Sequence, residues 1–291
     1  MTGTTSTTSS PEVPRAAVVV GVDGTDSSLH AAEWAAEHAD LEGLPLVVVH
    51  TVDDTAVEAT AWSGVVWVLP TPFERLMATG RLIVEEATDR ISRRHPDLAV
   101  HPHVVHGDVR RTLVDLSRDA SMVVLGSRGR GTVGSAVLGS VGAHVTRHAS
   151  SPVVITRPGH PGRVHDGVVV LCDGTPTSVP VVARAIEIAA ERGLGVTVVR
   201  CVPHSALHDE VLAALEDDLA PLRGRAPGVP VHAAVRVGDP ADTLAAWPRP
   251  PDLVVVGRHP VDSLVRHLTH VNATRVLEHA ESPVLVVPQA G

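Results

Sequence analysis

A glycine-rich segment in the first half of the chain has the residue types of a phosphate-binding turn. Its glycine and polar positions are Gly126, Arg128, Gly129, Arg130, Gly139 and Ser140. Glycines let backbone N–H groups approach a ligand closely because no Cβ blocks them, and a helix N-terminus adds partial positive charge. The two arginines can add charge-assisted hydrogen bonds. The segment predicts a site for a phosphorylated ligand; the structural alternative is a surface loop that ends in an ordinary Gly-Ser helix cap.

Polar residues at two other predicted strand ends extend this site. Asp23 follows the apolar strand 16–22, which contains Gly21, and Thr51 ends the strand 45–51. In an open α/β sheet, ligands bind outside the carboxyl ends of the strands, at the point where the strand order reverses. An acidic side chain at such a strand end can accept hydrogen bonds from ribose hydroxyls. The phosphorylated ligand is therefore predicted to be a nucleotide.

The chain is a tandem repeat, and this repeat defines the elements that must position the site. Asp23-Gly24-Thr25 recurs 150 positions later as Asp173-Gly174-Thr175. Gly107-Asp108 recurs only 131 positions later, as Gly238-Asp239. The first copy therefore carries 19 residues that the second copy lacks.

The additional residues fall within 53–74 and include Trp62 and Trp67. We expect this segment to pack over the first domain as a lid or loop, since apolar loop residues usually fold back. The alternative is a contact surface for a partner or for the adjacent domain.

Each copy alternates strands with helices. In the first copy, strands are predicted near 16–22, 45–51, 99–106, 121–126 and 152–156, and helices near 26–41, 73–95, 109–118 and 136–149. Asp26 or Ser27 is the expected N-cap of the first helix. Strands separated by helices indicate parallel βαβ units with right-handed crossovers. The fold class is therefore α/β, with two tandem five-stranded parallel sheets flanked by helices.

Composition sets the domain boundaries and excludes several classes of protein. We expect a disordered tail at 1–14, domains at 15–158 and 165–291, and a linker at 159–164. The net charge of −9 argues against a general nucleic-acid binder. No apolar stretch reaches the roughly 20 residues of a membrane span. Two cysteines, Cys172 and Cys201, fall in predicted buried strands, which favours a reduced, cytoplasmic protein.

The second copy departs from the glycine pattern. Gly257 keeps the first glycine, but Pro260, His270 and Val271 stand at the positions of Gly129, Gly139 and Ser140. Proline removes a donor N–H, a Cβ obstructs close backbone approach, and valine has no hydroxyl. We therefore expect one nucleotide site per chain, in the first domain.

The complete pattern Gly126-x2-Gly129-x9-Gly139-Ser140 resembles the ATP-binding signature of the universal stress protein family. The Val-Asp-Gly at 22–24 and the Ser-Pro-Val-Val-Ile at 151–155 are also similar to that family. The resemblance covers both repeats, about residues 15–288. It implies a Rossmann-like fold of the adenine-nucleotide alpha hydrolase type.

The resemblance also implies a role for each matching residue. Asp23 would contact the nucleotide near the ribose, and Thr51 would lie near adenine. The glycines and Ser140, with Val141 adjacent, would bind phosphates and ribose. The implied cofactor is ATP, alone or with Mg²⁺. The family's pairing of domains through the last strand implies contact between 153–155 and 284–286, with a homodimer of the whole chain left open.

Three functions remain open at this point. The first is an ATP-dependent regulator in stress or growth arrest, acting on an unknown protein partner. The second is a weak ATPase or nucleotidyl-transferring enzyme, to which Asp23 and Asp108 could contribute. We expect at most slow ATP hydrolysis, because the sequence provides no dedicated general base. The third is a scaffold that the nucleotide stabilises.

The 18 histidines raise the question of a metal site. His101 and His103 can share one face of a strand, but His106 faces the other way, and no evident Cys or carboxylate set completes a site. We therefore assign no metal ligands and expect a polar edge strand there.

Overall fold

The computed structural model describes residues 13–53, 72–127, 138–157, 166–258 and 271–289. Within these ranges the two copies form one continuous ten-stranded sheet in the order β3-β2-β1-β4-β5-β10-β9-β6-β7-β8. Residues 1–12 of the tail predicted at 1–14 lie outside the described residues, as do the linker at 159–164 and Trp62 and Trp67.

In its described ranges, the first copy contributes five strands and four helices. These are β1 (Val18–Gly21), α1 (Asp26–Glu42), β2 (Leu46–Val52), α2 (Pro72–Ser92), β3 (Val100–His106), α3 (Val109–Leu116), β4 (Met122–Gly126), α4 (Ser140–His148) and β5 (Val153–Thr156). The order of elements agrees with the alternation predicted from the sequence.

The second copy repeats this order. Its elements are β6 (Val168–Cys172), α5 (Val179–Arg192), β7 (Val196–Val202), α6 (His208–Arg225), β8 (Val231–Val237), α7 (Pro240–Ala245), β9 (Leu253–Arg258), α8 (Ala273–His279) and β10 (Val284–Pro288). Short 3₁₀ turns, Pro176–Ser178 and Ser205–Leu207, precede α5 and α6.

Strand pairing confirms the predicted fold class and refines it. Within each copy all neighbouring strands are parallel. The two parallel halves meet where β5 and β10 pair antiparallel, with Val154 opposite Leu285. This contact is the pairing between 153–155 and 284–286 that the family resemblance implied. It turns two five-stranded sheets into one and places β3 and β8 at its edges.

The core consists of aliphatic strands with helices packed on both faces of the sheet. Val18, Val19 and Val20 of β1 are fully buried, as expected for parallel strands that are covered on both sides. Cys172 and Cys201 are free and buried, and burial raises the pKa of the Cys172 thiol to about 12. None of the helices in the described ranges is long and apolar enough to cross a membrane.

The start of α1 differs from the expected cap. Neither Asp26 nor Ser27 is the N-cap; Thr25 is, and its hydroxyl accepts a hydrogen bond from Ser28 N at 3.3 Å. Asp23 in turn accepts hydrogen bonds from the backbone N–H and the hydroxyl of Thr25. This turn after β1 places Thr25, rather than Asp26 or Ser27, at the N-cap. The helix ends at Gly43, whose φ of 65° gives the left-handed conformation that favours glycine.

Gly126 has a structural role that its position in the glycine pattern conceals. A Cβ at this residue would lie 2.6 Å from Ser27 Oγ and 2.7 Å from Ser27 O. The end of β4 therefore approaches the backbone of α1 too closely for any side chain.

We predict that Gly126→Ala destabilises the protein by roughly 1–3 kcal/mol, because the added methyl group must push backbone away from backbone. Urea unfolding followed by circular dichroism measures this. Gly224→Ala is the matched control, since a Cβ there meets nothing within 4 Å, and it should cause no loss. Equal stability of the two variants would contradict the packing role.

Candidate functional site

A cavity of about 740 Å³ opens at the carboxyl ends of β1, β2 and β4. It lies where the strand order reverses between β1 and β4, the position at which open α/β sheets bind ligands. Seven of the residues singled out in the sequence line it: Gly21, Asp23, Thr51, Gly126, Gly139, Ser140 and Val141. The other three, Arg128, Gly129 and Arg130, lie outside the described residues. Folding therefore brings together residues from four separate parts of the chain.

Asp23 is held by the turn between β1 and α1. Its Oδ1 accepts hydrogen bonds from Thr25 N at 3.1 Å and Thr25 Oγ1 at 2.6 Å, and its own N–H donates to Ser28 Oγ at 3.2 Å. These contacts fix the orientation of the carboxylate at the cavity wall. The same residue thus shapes the start of α1 and presents negative charge to the cavity.

Thr51 places an unsatisfied hydroxyl at the cavity. Its Oγ1 is buried and has no hydrogen-bond partner within the described part of the chain. A buried hydroxyl without a partner is costly, and it is a natural contact for a polar ligand atom. Beside it, His50 Nδ1 lies 2.7 Å from Val22 O, so a ring hydrogen bond joins the ends of β1 and β2.

The N-terminus of α4 is open toward the cavity. Gly139 occupies the N-cap without a side-chain cap hydrogen bond, and Ser140 is the first helical residue. Gly139 N donates to Ser127 O at 3.1 Å. The amide groups of the first turn therefore receive no side-chain acceptor from the cap, and their partial positive charge faces the cavity.

The described residues leave space for a side chain at Gly139. A Cβ there would lie no closer than 3.7 Å to a neighbour, at Ser127 O, and its φ of −60° suits any residue. This glycine thus contrasts with Gly126, which packing requires.

Apolar side chains that the sequence did not single out form another wall. Leu76 comes from α2, Leu113 from α3 and Leu125 from β4. An apolar wall with a few polar groups is typical of small-molecule sites and suits the face of a planar base. Motifs do not single out these leucines, because an apolar residue on a helix or strand indicates only a core. The signal that could have found the two on helices is the apolar side of each helix, which faces the strand ends.

The corresponding region of the second copy is filled by its own side chains. The guanidinium group of Arg200 lies where a Cβ on Gly174 would project, and the amide of Gln289 does the same at Gly257. The N-terminus of α8 is also satisfied, because Asn272 Oδ1 accepts from Thr274 N at 3.0 Å and Arg275 N at 3.3 Å. Within the described residues, the two copies therefore differ at the N-terminus of the last helix and in the space beside these glycines.

Two other candidate residues have structural roles. Asp108 is the N-cap of α3 and accepts from Arg111 N at 2.8 Å. Asp173 accepts from Thr175 N at 2.9 Å and from the Ser178 hydroxyl, and so holds the turn that follows β6.

The histidines of β3 lie on an edge strand of the sheet, as expected. Burial and the neighbouring His101 lower the pKa of His103. His106 packs edge-on against Phe73, with 5.0 Å between ring centroids.

Comparison with known proteins places this architecture in a family. The model of the universal stress protein family matches residues 15–157 and again 166–288. A universal stress protein of Mycobacterium tuberculosis strain H37Rv is 32% identical over 295 residues, covering 94% of this chain and 97% of its own. One of Mycolicibacterium smegmatis is 30% identical over 284 residues, covering 93% and 96%.

A solved structure agrees in fold over nearly the whole length. A universal stress protein from Archaeoglobus fulgidus superposes with a TM-score of 0.68 at 17% identity, covering 96% of this chain and 100% of its own. Two matches to the family model, relatives of equal length and a common fold lead to one conclusion: the chain belongs to the universal stress protein family, with two of its domains in tandem.

Proposed function

We propose that the protein binds ATP in the cavity of its first domain and acts as a nucleotide-dependent regulator in stress or growth arrest. The observation that carries this proposal is the convergence of an uncapped helix N-terminus, an oriented carboxylate and an apolar wall in one cavity. Each serves a different part of a nucleotide, namely the phosphates, the ribose and the base.

The phosphates are assigned to the open end of α4. Ser140 and Val141 present amide groups there and Ser140 adds a hydroxyl, while Gly139 at the N-cap leaves space for a phosphate; a helix N-terminus favours anions. The proposed phosphate contacts are completed by Gly126, Arg128, Gly129 and Arg130. Binding measurements with and without Mg²⁺ test the contribution of the last three.

The sugar and base are assigned to the strand ends. Asp23 is oriented to accept hydrogen bonds from ribose hydroxyls. Gly21 lies beside it in the cavity wall, where a Cβ would be 2.7 Å from Leu125 Cδ2. Thr51 offers its unsatisfied hydroxyl to a ring nitrogen or amino group, and Val141 together with the leucines supplies apolar contact. A ligand in this position would bind α4 and three strand ends at once, so its presence would stabilise their arrangement.

The filled crevice of the second domain supports a single site. Arg200 and Gln289 occupy space beside Gly174 and Gly257, and Asn272 already satisfies amide groups of α8. Binding there would require all three groups to move.

Asp23 and Asp173 provide a matched pair for counting sites. Both hold the turn after the first strand of their domain, so Asp23→Asn and Asp173→Asn should have similar effects on folding. We predict that isothermal titration of the wild type with ATP gives one site per chain. Asp23→Asn should weaken binding by about tenfold, corresponding to about 1.4 kcal/mol, and Asp173→Asn should leave it unchanged. A stoichiometry near two, or equal effects of the two variants, would refute the single site.

Gly139 allows a test that leaves the ligand-free fold intact. We predict that Gly139→Ala keeps the thermal midpoint of the ligand-free protein, because its Cβ has room, but weakens ATP binding by roughly tenfold or more through contact with the phosphates. Titration calorimetry and thermal unfolding provide the two readouts. Gly228→Ala, where a Cβ meets nothing within 4 Å, is the control. Unchanged ATP affinity in Gly139→Ala would show that the phosphates do not bind at the N-terminus of α4.

The fate of the bound nucleotide distinguishes a regulator from an ATPase. We predict that ATP bound to the purified protein is retained with negligible ADP formation, and that affinity capture with ATP-bound wild type recovers a partner that Asp23→Asn fails to recover. Chromatography of the released nucleotide follows the first and mass spectrometry the second. Rapid ADP formation that Asp23→Asn abolishes would instead identify an ATPase.

A further inference from the structure

A second group of ionisable side chains joins the two domains, remote from the nucleotide cavity. It lies between α1 and α5 and consists of His38, Glu42, Arg184, Glu191 and Arg192. We call it the interdomain cluster. His38 and Glu42 belong to the first domain and the other three to the second, so any ligand of this cluster would connect the domains.

His38 is the most unusual member because its side chain has no exposed surface. Neither ring nitrogen makes a hydrogen bond within the described part of the chain. Nε2 lies 3.3 Å from Glu42 Oε1 but without the direction of a hydrogen bond. The ring packs against Trp34 with 5.3 Å between centroids. Buried polar groups almost always make a hydrogen bond. Two ring nitrogens without one, beside a carboxylate, indicate that a partner of His38 is missing.

The charged form of His38 is disfavoured in its surroundings. Burial, with the nearby Arg192 and Arg184, lowers its pKa to about 4 against the opposing effect of Glu42.

Two carboxylates approach each other beside this ring. Oε2 of Glu191 is buried and has no hydrogen-bond partner within the described residues. Burial and the neighbouring Glu42 charge raise the pKa of Glu191 to about 7. Two carboxylates in one site repel unless a proton or a cation lies between them.

The three donor groups have the spacing of a coordination site. One ligand atom from each of His38, Glu42 and Glu191 lies within 4.8 Å of the other two. An imidazole nitrogen with carboxylate oxygens is a ligand set that Zn²⁺ and similar divalent ions accept.

The net charge of the surrounding groups can be balanced by a divalent cation. Arg184 bonds Glu42 Oε1 at 2.6 Å and Glu187 at 3.2 Å, and Arg192 bonds Glu37 at 3.1 Å. With Glu191, the cluster and its direct partners hold four carboxylates against two guanidinium groups. When all are ionised, two negative charges remain.

We propose that the interdomain cluster is a divalent metal site of the zinc type, in which His38, Glu42 and Glu191 are the ligands. Arg184 is a positioning residue that bonds Glu42 Oε1, the oxygen that also faces His38. Binding involves no change of oxidation state and links α1 of the first domain to α5 of the second.

Glu191→Gln and Glu187→Gln form the matched pair for a test. Both are isosteric changes on α5 that remove one carboxylate, but Glu187 is 60% exposed and bonds only Arg184 among the described residues. Surface histidines can also bind zinc, and the stacked pair His144 and His148, with centroids 4.2 Å apart, is the clearest case. Both variants are therefore made in a His148→Gln background and freed of metal before use.

The experiment titrates Zn²⁺ into the full chain by calorimetry and follows the thermal midpoint in the same samples. The background protein is expected to show a site whose affinity falls by about tenfold or more in Glu191→Gln, as is usual when a ligand or its support is removed. Glu187→Gln should retain it, and Co²⁺ in place of Zn²⁺ should give visible absorption bands that Glu191→Gln loses. Zinc should raise the thermal midpoint of the background protein and of Glu187→Gln only.

Two outcomes would overturn the proposal. Equal Zn²⁺ affinity of Glu191→Gln and its background would show that the metal binds elsewhere. Absence of Zn²⁺ binding in the folded background protein would show that Glu42 and Glu191 share only a proton. ATP affinity should be the same in all these variants, so the result does not depend on the nucleotide site.

Discussion

The antiparallel pairing of β5 with β10 is the contact on which the whole arrangement depends. Each five-stranded unit would otherwise end in an exposed strand edge, and exposed edges favour uncontrolled association. Pairing removes both edges and continues the sheet from one domain into the other. It also sets the distance between α1 and α5, which pack on the same side of that sheet. The interdomain cluster and its ion pairs follow from this one register.

Within this symmetric frame, the two domains differ at the carboxyl ends of their strands. Among the described residues, the first leaves the N-terminus of α4 without a side-chain cap and the Thr51 hydroxyl without a partner, and both are unfavourable. In the second, Asn272 caps α8, and Arg200 and Gln289 lie against Gly174 and Gly257. The two domains therefore differ in the cap of their last helix and in the space beside their strand ends.

The sequence predicted the fold well because its strongest signals are local. Strands rich in valine, helices between them and a repeated Asp-Gly-Thr specify two parallel sheets, and the resemblance to a family indicated how they pair. Seven of the residues predicted for the site line one cavity because strand ends meet at one edge of a parallel sheet. The tight packing at Gly126 and the wall residue Leu76 were missed, since each depends on which distant backbone or side chain lies opposite. The cap at Thr25 was missed because it depends on the exact turn that Asp23 forms after β1.

The covalent joining of two related domains has a further consequence. In a dimer of identical domains, residues near the twofold axis face their own copies, so any substitution appears twice and a like charge meets itself. Here the position that corresponds to Glu42 is Arg192, and the position that corresponds to Glu191 is Leu41. The shared interface has become heterologous while the backbone keeps its twofold symmetry. Gene fusion therefore allows a single chain to encode complementary charges at a contact where a homodimer could only repeat them.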